Sequence, residues 1–259
     1  MWIAICLLLA VVMAWFGAAR LHRFAYWIDQ KSEADIAALA TGRWQIDRLE
    51  VEPGVTLVGL VRPPVDPAGR WVLFVPGNST ALLPGFQAEL ERALPDEIGV
   101  AFWAYRGFEA STGVPTPEHL LADLLPQWDR LRALGAAPER TEVLGYSLGS
   151  VLAVQLTAEL TRRAQAPARL VLAAAGPRID IMRHGPFGRF LADDVFDATA
   201  AAATVECPVV IVHGTADDAL PIAAPRQLRQ LIGDNATLHE LPGKGHTEVW
   251  DGVRRLAYE

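Results

Sequence analysis

The pentapeptide Gly145-Tyr146-Ser147-Leu148-Gly149 restricts the fold of this chain more than any other stretch. A short, mostly apolar run, 142–145, precedes it, and a stretch with helical apolar spacing, 148–165, follows it. A strand that turns within one residue into a helix needs glycines on both sides, where backbones come close. The serine then projects from a sharp, strained turn, with the positive end of the helix dipole behind it. Gly-x-Ser-x-Gly by itself arises by chance in about one chain in ten of this length, given ordinary glycine usage. The strand before it and the helix after it make Ser147 a candidate nucleophile.

The rest of the chain supplies a sheet for such a turn. Runs 46–52 and 55–62 flank Pro53-Gly54 and read as a hairpin. The run 71–75 (WVLFV) is wholly apolar, as a buried parallel strand requires, and Pro76-Gly77-Asn78 ends it. Helices are expected over 82–94, 117–134, 148–165, 222–232 and 248–258. Strands are expected over 100–104, 142–145, 169–174, 208–213 and 237–241. This alternation predicts an α/β fold with a mostly parallel central sheet and helices on both faces. The 259 residues suit one such domain, 46–259, after a linker with a short helix over 20–45. Residues 177–206 lie between two strands and are too long for an ordinary connection, so they read as a short lid insertion.

Composition narrows the partners. The net charge is −7, and no run of Lys or Arg exceeds two residues, which argues against nucleic acid. Of the two cysteines, Cys6 lies in the N-terminal apolar run, so the domain holds Cys207 alone and no internal disulfide is expected. No His/Cys cluster has zinc spacing.

Residues 2–19 carry no charge (WIAICLLLAVVMAWFGAA), about the lower limit for a membrane span. Three readings compete: a single transmembrane anchor, a cleaved signal peptide ending near Gly17-Ala18-Ala19, and a buried core helix. No Lys or Arg precedes the run, contrary to a secretory signal. Arg20 and Arg23 follow it, which by the positive-inside rule keeps the domain cytoplasmic. The expectation is therefore a single-pass cell-membrane protein with a cytoplasmic domain, the alternative being export after signal cleavage.

A serine hydroxyl is a weak nucleophile at neutral pH and needs a base oriented by a carboxylate. After a nucleophile elbow the order along the chain is Ser, acid, His. Four histidines follow Ser147: His184, His213, His239 and His246. His246 lies in Gly243-Lys244-Gly245-His246, just past the last expected strand, at the sheet end where sites form. His239 falls inside a strand, His213 ends one and reads as structural, and His184 lies in the lid. The acid is Asp217 or Asp218, both in the loop after strand 208–213. Backbone N–H groups of Leu148 and Asn78 are the expected oxyanion donors, one after the nucleophile and one after an early strand.

These residues resemble the α/β-hydrolase superfamily. The closer likeness is to small hydrolases, often membrane-anchored, of the serine-aminopeptidase-like and lysophospholipase-like groups. It runs from about residue 46 onward. WVLFVPGNS at 71–79 resembles the strand and oxyanion turn. Tyr105-Arg106-Gly107-Phe108 with Ser111 and Gly113 resembles the family's Tyr-Arg-Gly loop, and 243–246 its histidine loop. His213-Gly214, Asp217 and Pro221 resemble the acid loop, whose acid lies four residues before a proline, so the resemblance selects Asp217. Pro76 replaces a usual histidine, Phe108-Glu109-Ala110 a more glycine-rich stretch, and Ser150 a frequent glycine. None of these changes removes a catalytic group.

The resemblance implies the α/β-hydrolase fold and a serine hydrolase acting on acyl esters or thioesters, with no metal or organic cofactor. A lipid-like substrate accords with the apolar N-terminus. A serine peptidase of the aminopeptidase type is the enzymatic alternative. A non-catalytic, membrane-tethered binding protein is the alternative of another class.

Overall fold

The computed structural model describes Tyr26, Ile28 and residues 30–78, 84–181 and 195–259. A capped single turn, α1 (Glu33–Ala37), precedes the sheet. Ser32 accepts from the Asp35 N–H while the Asp35 carboxylate accepts from the Ser32 N–H, a reciprocal cap.

The sheet opens with the hairpin β1 (Gln45–Glu52) and β2 (Val55–Arg62), turning at Pro53-Gly54 as expected. Then come β3 (Trp71–Val75), α2 (Pro84–Ala93), β4 (Gly99–Trp103), α3 (Pro117–Ala122), α4 (Leu124–Ala133) and β5 (Thr141–Tyr146). The long α5 (Leu148–Arg162) leads to β6 (Arg169–Ala173). The short strands β7 (Arg178–Asp180) and β8 (Val195–Asp197) pair with each other, and α6 (Thr199–Ala202) follows. The chain continues through β9 (Val209–Gly214), α7 (Ala223–Ile232), β10 (Ala236–Leu241) and α8 (Trp250–Val253), which runs into a wider turn, Arg254–Tyr258.

Eight strands form one sheet in the order β1-β2-β4-β3-β5-β6-β9-β10. Only the β1–β2 and β2–β4 pairings are antiparallel. The expectation of a mostly parallel sheet flanked by helices is therefore met. β3 and β5 are buried along their whole length, because helices cover both their faces. Right-handed crossovers run one way from β3 to β4 and the other way from β4 to β5. This reversal sets the topological switch point at β3, and in such sheets ligands usually bind at the carboxyl ends of the strands there. Phe74 of β3 stacks on Phe86 of α2, and Trp250 of α8 packs edge-on to both, so α2 and α8 share one aromatic cluster.

Residues 117–134 form two helices, not one. Asp123 caps the first, and its carboxylate turns inward to Arg106, which donates from Nε at 2.8 Å and Nη2 at 2.5 Å. Pro126 has no N–H for the next turn, so the ladder cannot run through. Both charged side chains are almost fully buried, and Glu52 also accepts from Arg106.

The transmembrane-helix expectation is corrected, and with it the single-pass cell-membrane localisation and the tether as a partner. Among the described residues no helix is long and apolar enough to cross a membrane. The longest, α5, has 15 residues, about 22 Å against a hydrocarbon core of about 30 Å. The segment 2–19, on which those expectations rested, lies outside the described residues, as does His184.

Candidate active site

β5 delivers the nucleophile candidate by a change of backbone direction at one residue. Ser147 has φ 51° and ψ −119°, in the half of the map where a Cβ is strained, and α5 starts at Leu148. The Ser147 N–H donates to the Ala173 carbonyl of β6 at 3.0 Å. Its own carbonyl accepts from the Ser150 N–H at 2.9 Å and the Ser150 hydroxyl at 2.6 Å. The flanking glycines are steric necessities. A Cβ on Gly149 would stand 2.0 Å from the Val75 carbonyl oxygen, and one on Gly145 would stand 2.6 Å from that of Gly149.

The loop after β3 runs against this turn. A Cβ on Gly77 would lie 3.1 Å from the Tyr146 ring and 3.4 Å from the Ser147 Cβ. The Pro76 carbonyl accepts from the buried Tyr105 hydroxyl at 2.6 Å, which ties that loop to the segment after β4. Asn78 follows directly, half-buried. Leu148 is the first residue of α5, so its N–H belongs to the turn whose donors have no acceptor inside the helix.

The acid and base candidates come from the loops after β9 and β10. These loops touch: a Cβ on Gly214 would meet the Lys244 carbonyl oxygen at 2.1 Å. Thr215 N–H donates to Leu241 O at 3.0 Å, Ala216 N–H to Lys244 O at 2.9 Å, and Gly243 N–H to the Thr215 hydroxyl at 2.9 Å. Asp217 is buried and Asp218 is exposed. Asp217 Oδ1 accepts from the N–H groups of Ala219 at 2.9 Å and Leu220 at 2.8 Å. Its Oδ2 lies 2.7 Å from His246 Nδ1, and His246 Nε2 lies 2.9 Å from Ser147 Oγ. An ionised carboxylate only accepts, so Nδ1 carries the hydrogen and Nε2 is free to accept from the serine hydroxyl.

Burial alone would raise the Asp217 pKa. The hydrogen bonds from His246 and the Leu220 N–H outweigh it and hold the carboxyl below its ordinary value. The imidazole rests beside Tyr146, ring centres 5.5 Å apart, with the Tyr146 hydroxyl 3.4 Å from the His246 carbonyl. Burial pushes the Tyr146 phenol well above its usual range, so it stays a neutral donor.

The structure thus brings Ser147, Asp217 and His246 into one hydrogen-bonded line at the carboxyl ends of β5, β9 and β10, with the Pro76–Asn78 loop beside it. It leaves His239 on a strand. His213, which reads as structural in the sequence, ends 3.3 Å from Asp217. No spacing rule flags it, since the contact depends on how the acid loop folds back. Among the described residues no three His, Cys, Asp or Glu side chains gather as metal ligands would.

Residues 136–247 match a family model described as serine hydrolase (FSH1). Alpha/beta hydrolase domain-containing protein 17C of Xenopus tropicalis is 28% identical over 227 residues, covering 85% of this chain and 68% of that protein. An uncharacterized protein of Mycobacterium tuberculosis is 28% identical over 229 residues, covering 82% of this chain and 78% of its own length. Among solved structures, an alpha-beta hydrolase from Vibrio vulnificus matches with a TM-score of 0.73 at 19% identity, over 93% of this chain and 90% of that one. Est1E from Butyrivibrio proteoclasticus, solved with ferulic acid, matches with a TM-score of 0.65 at 17% identity, over 81% and 97%. The chain has the α/β-hydrolase fold, and its sequence is similar to serine hydrolases of that fold.

Proposed function

We propose that this protein hydrolyses acyl esters or thioesters, with Ser147 as nucleophile, His246 as base and Asp217 as the orienting acid. One observation carries the reading: the unbroken line from Asp217 Oδ2 through both ring nitrogens of His246 to Ser147 Oγ, at 2.7 and 2.9 Å. Ser147 attacks the carbonyl carbon as His246 Nε2 takes its proton. The backbone N–H groups of Asn78 and Leu148 receive the oxyanion, helped by the amino end of α5. The leaving alcohol or thiol takes the proton from His246 and departs. A water, deprotonated by the same nitrogen, then releases the acid from Ser147. Residues 46–259 are the hydrolase unit in this reading, and the insertion at 177–206 sets the acyl group accepted.

Labelling with a fluorophosphonate probe tests the nucleophile. The expected result is labelling of the native chain and none of Ser147→Ala, and equal labelling of both overturns the assignment. p-Nitrophenyl esters of graded chain length, assayed beside aminoacyl anilides, test the substrate class. Faster cleavage of the anilides would replace the esterase reading with a peptidase one. A folded chain that neither labels nor hydrolyses would leave a binding protein.

A further inference from the structure

His213 is the penultimate residue of β9, just before the loop that carries Asp217, and its side chain is wholly buried. Its Nε2 lies 2.8 Å from the Leu220 carbonyl oxygen and 3.3 Å from Asp217 Oδ2. A carbonyl can only accept, so Nε2 carries the hydrogen and donates it to Leu220, with the carboxylate at contact distance beside it. Nδ1 is then a bare lone pair, buried with no partner of its own. Protonating it would place a cation and an unmatched N–H in a dry site, and burial accordingly lowers the ring's pKa.

This contact completes the surroundings of Asp217. A carboxylate has about four acceptor positions. Two on Oδ1 take the Ala219 and Leu220 N–H groups, and Oδ2 faces both His246 and His213. Leu220 is held from both sides, its N–H by Asp217 and its carbonyl by His213, so one imidazole fixes the loop and the carboxylate together. The other charged groups facing His213 are few. Glu240 is its register partner on β10 and is paired with Arg226 of α7, and His246 lies beyond Asp217. β6 contributes only alanines at this level.

We infer that His213 is a positioning residue: a donor that pins the Leu220 carbonyl and so holds the acid loop, and with it the Asp217 carboxylate, in the arrangement His246 requires. The inference rests on the triad reading above. Removing the ring loosens that loop and takes a polar N–H edge away from Asp217 Oδ2. His213→Leu and His213→Gln separate this role from plain packing, because glutamine can offer an N–H near the same place. For p-nitrophenyl butyrate hydrolysis we expect His213→Leu to lower kcat about 3- to 10-fold, the worth of one neutral hydrogen bond, with KM little changed. The acid limb of its kcat/KM profile should move to higher pH. His213→Gln should recover most of the rate and return the limb. An unmoved limb, with kcat tracking Tm alike in both variants, overturns the inference. Nitrogen-15 spectra of the native ring should show an Nε2-protonated neutral imidazole whose titration lies below that of an ordinary histidine. A ring that titrates at or above the ordinary histidine value overturns it independently of turnover. Failure of the triad reading looks different: the native chain itself then neither labels nor hydrolyses.

Discussion

Ser147 is wedged in place, whereas Asp217 and His246 are tied. On the Ser147 side Gly145 and Gly149 let β5, α5 and the end of β3 approach until no Cβ fits between them. The position of the serine follows from backbone volume alone. On the Asp217–His246 side only Gly214 is similarly crowded, and the two loops hold their shape through a set of short hydrogen bonds. Steric fixing is rigid and intolerant, because any added atom displaces a strand. Hydrogen-bonded fixing is adjustable, because each bond is worth about 1 kcal/mol and a substituted donor can replace a lost one.

That contrast can be broken in graded steps. The largest effect belongs to Gly149→Ala, whose methyl would stand 2.0 Å from the Val75 carbonyl oxygen. It should cost more than about 4 kcal/mol and abolish the cooperative thermal transition, as seen by circular dichroism. On the tied side, Asp217→Asn should leave the fold intact and lower kcat about 10⁴-fold in ester hydrolysis, because the amide favours the wrong imidazole tautomer.

The same variant tests linkage. Asp217 has a depressed pKa in the folded state, so the stability it contributes is present above the unfolded value near 3.9 and is lost as pH falls through the folded one. Plots of Tm against pH for the native chain and Asp217→Asn should therefore converge on acidification. Parallel curves would contradict the depression.

Arg106→Leu comes next. It strands the buried Asp123 carboxylate and should cost about 3–5 kcal/mol, read as a fall in Tm, with fluorophosphonate labelling of the folded fraction retained. The smallest effect is Tyr105→Phe, which removes only the donor to Pro76 O. A loss of about 1–2 kcal/mol is expected, accompanied by slower ester turnover as the loop beside Ser147 loosens. Unchanged turnover would mean that this loop is wedged as firmly as the elbow.

The wedged side was also the legible side. Gly-x-Ser-x-Gly with its flanking strand and helix, WVLFV at 71–75, and the hairpin at Pro53-Gly54 all express local requirements that fall on neighbouring residues. They were readable to within a residue or two. The tied side was half legible. Loops after 208–213 and 237–241 could be located, but choosing between Asp217 and Asp218 depended on a family resemblance, not on any local rule. The burial of one and exposure of the other is a property of the folded loop. His213 escaped for the same reason. The break at Asp123 was missed because helical spacing continues through it, while its cause, Arg106, lies 17 residues earlier. The pairing of β7 with β8 was hidden because three-residue strands leave no periodicity to detect.

The line of contacts from Ser147 to His246 joins residues 99 positions apart, and the one from His246 to Asp217 spans 29. Closing such distances is slow relative to forming local turns, so these contacts belong among the late events of folding. The elbow can form when β5, α5 and β3 have met. His246 does not stand beside it until β10 has docked on β9. Under the proposed function, turnover should consequently rise with the last kinetic phase of refolding and lag behind the recovery of helical signal, so that a chain caught part-way is inert.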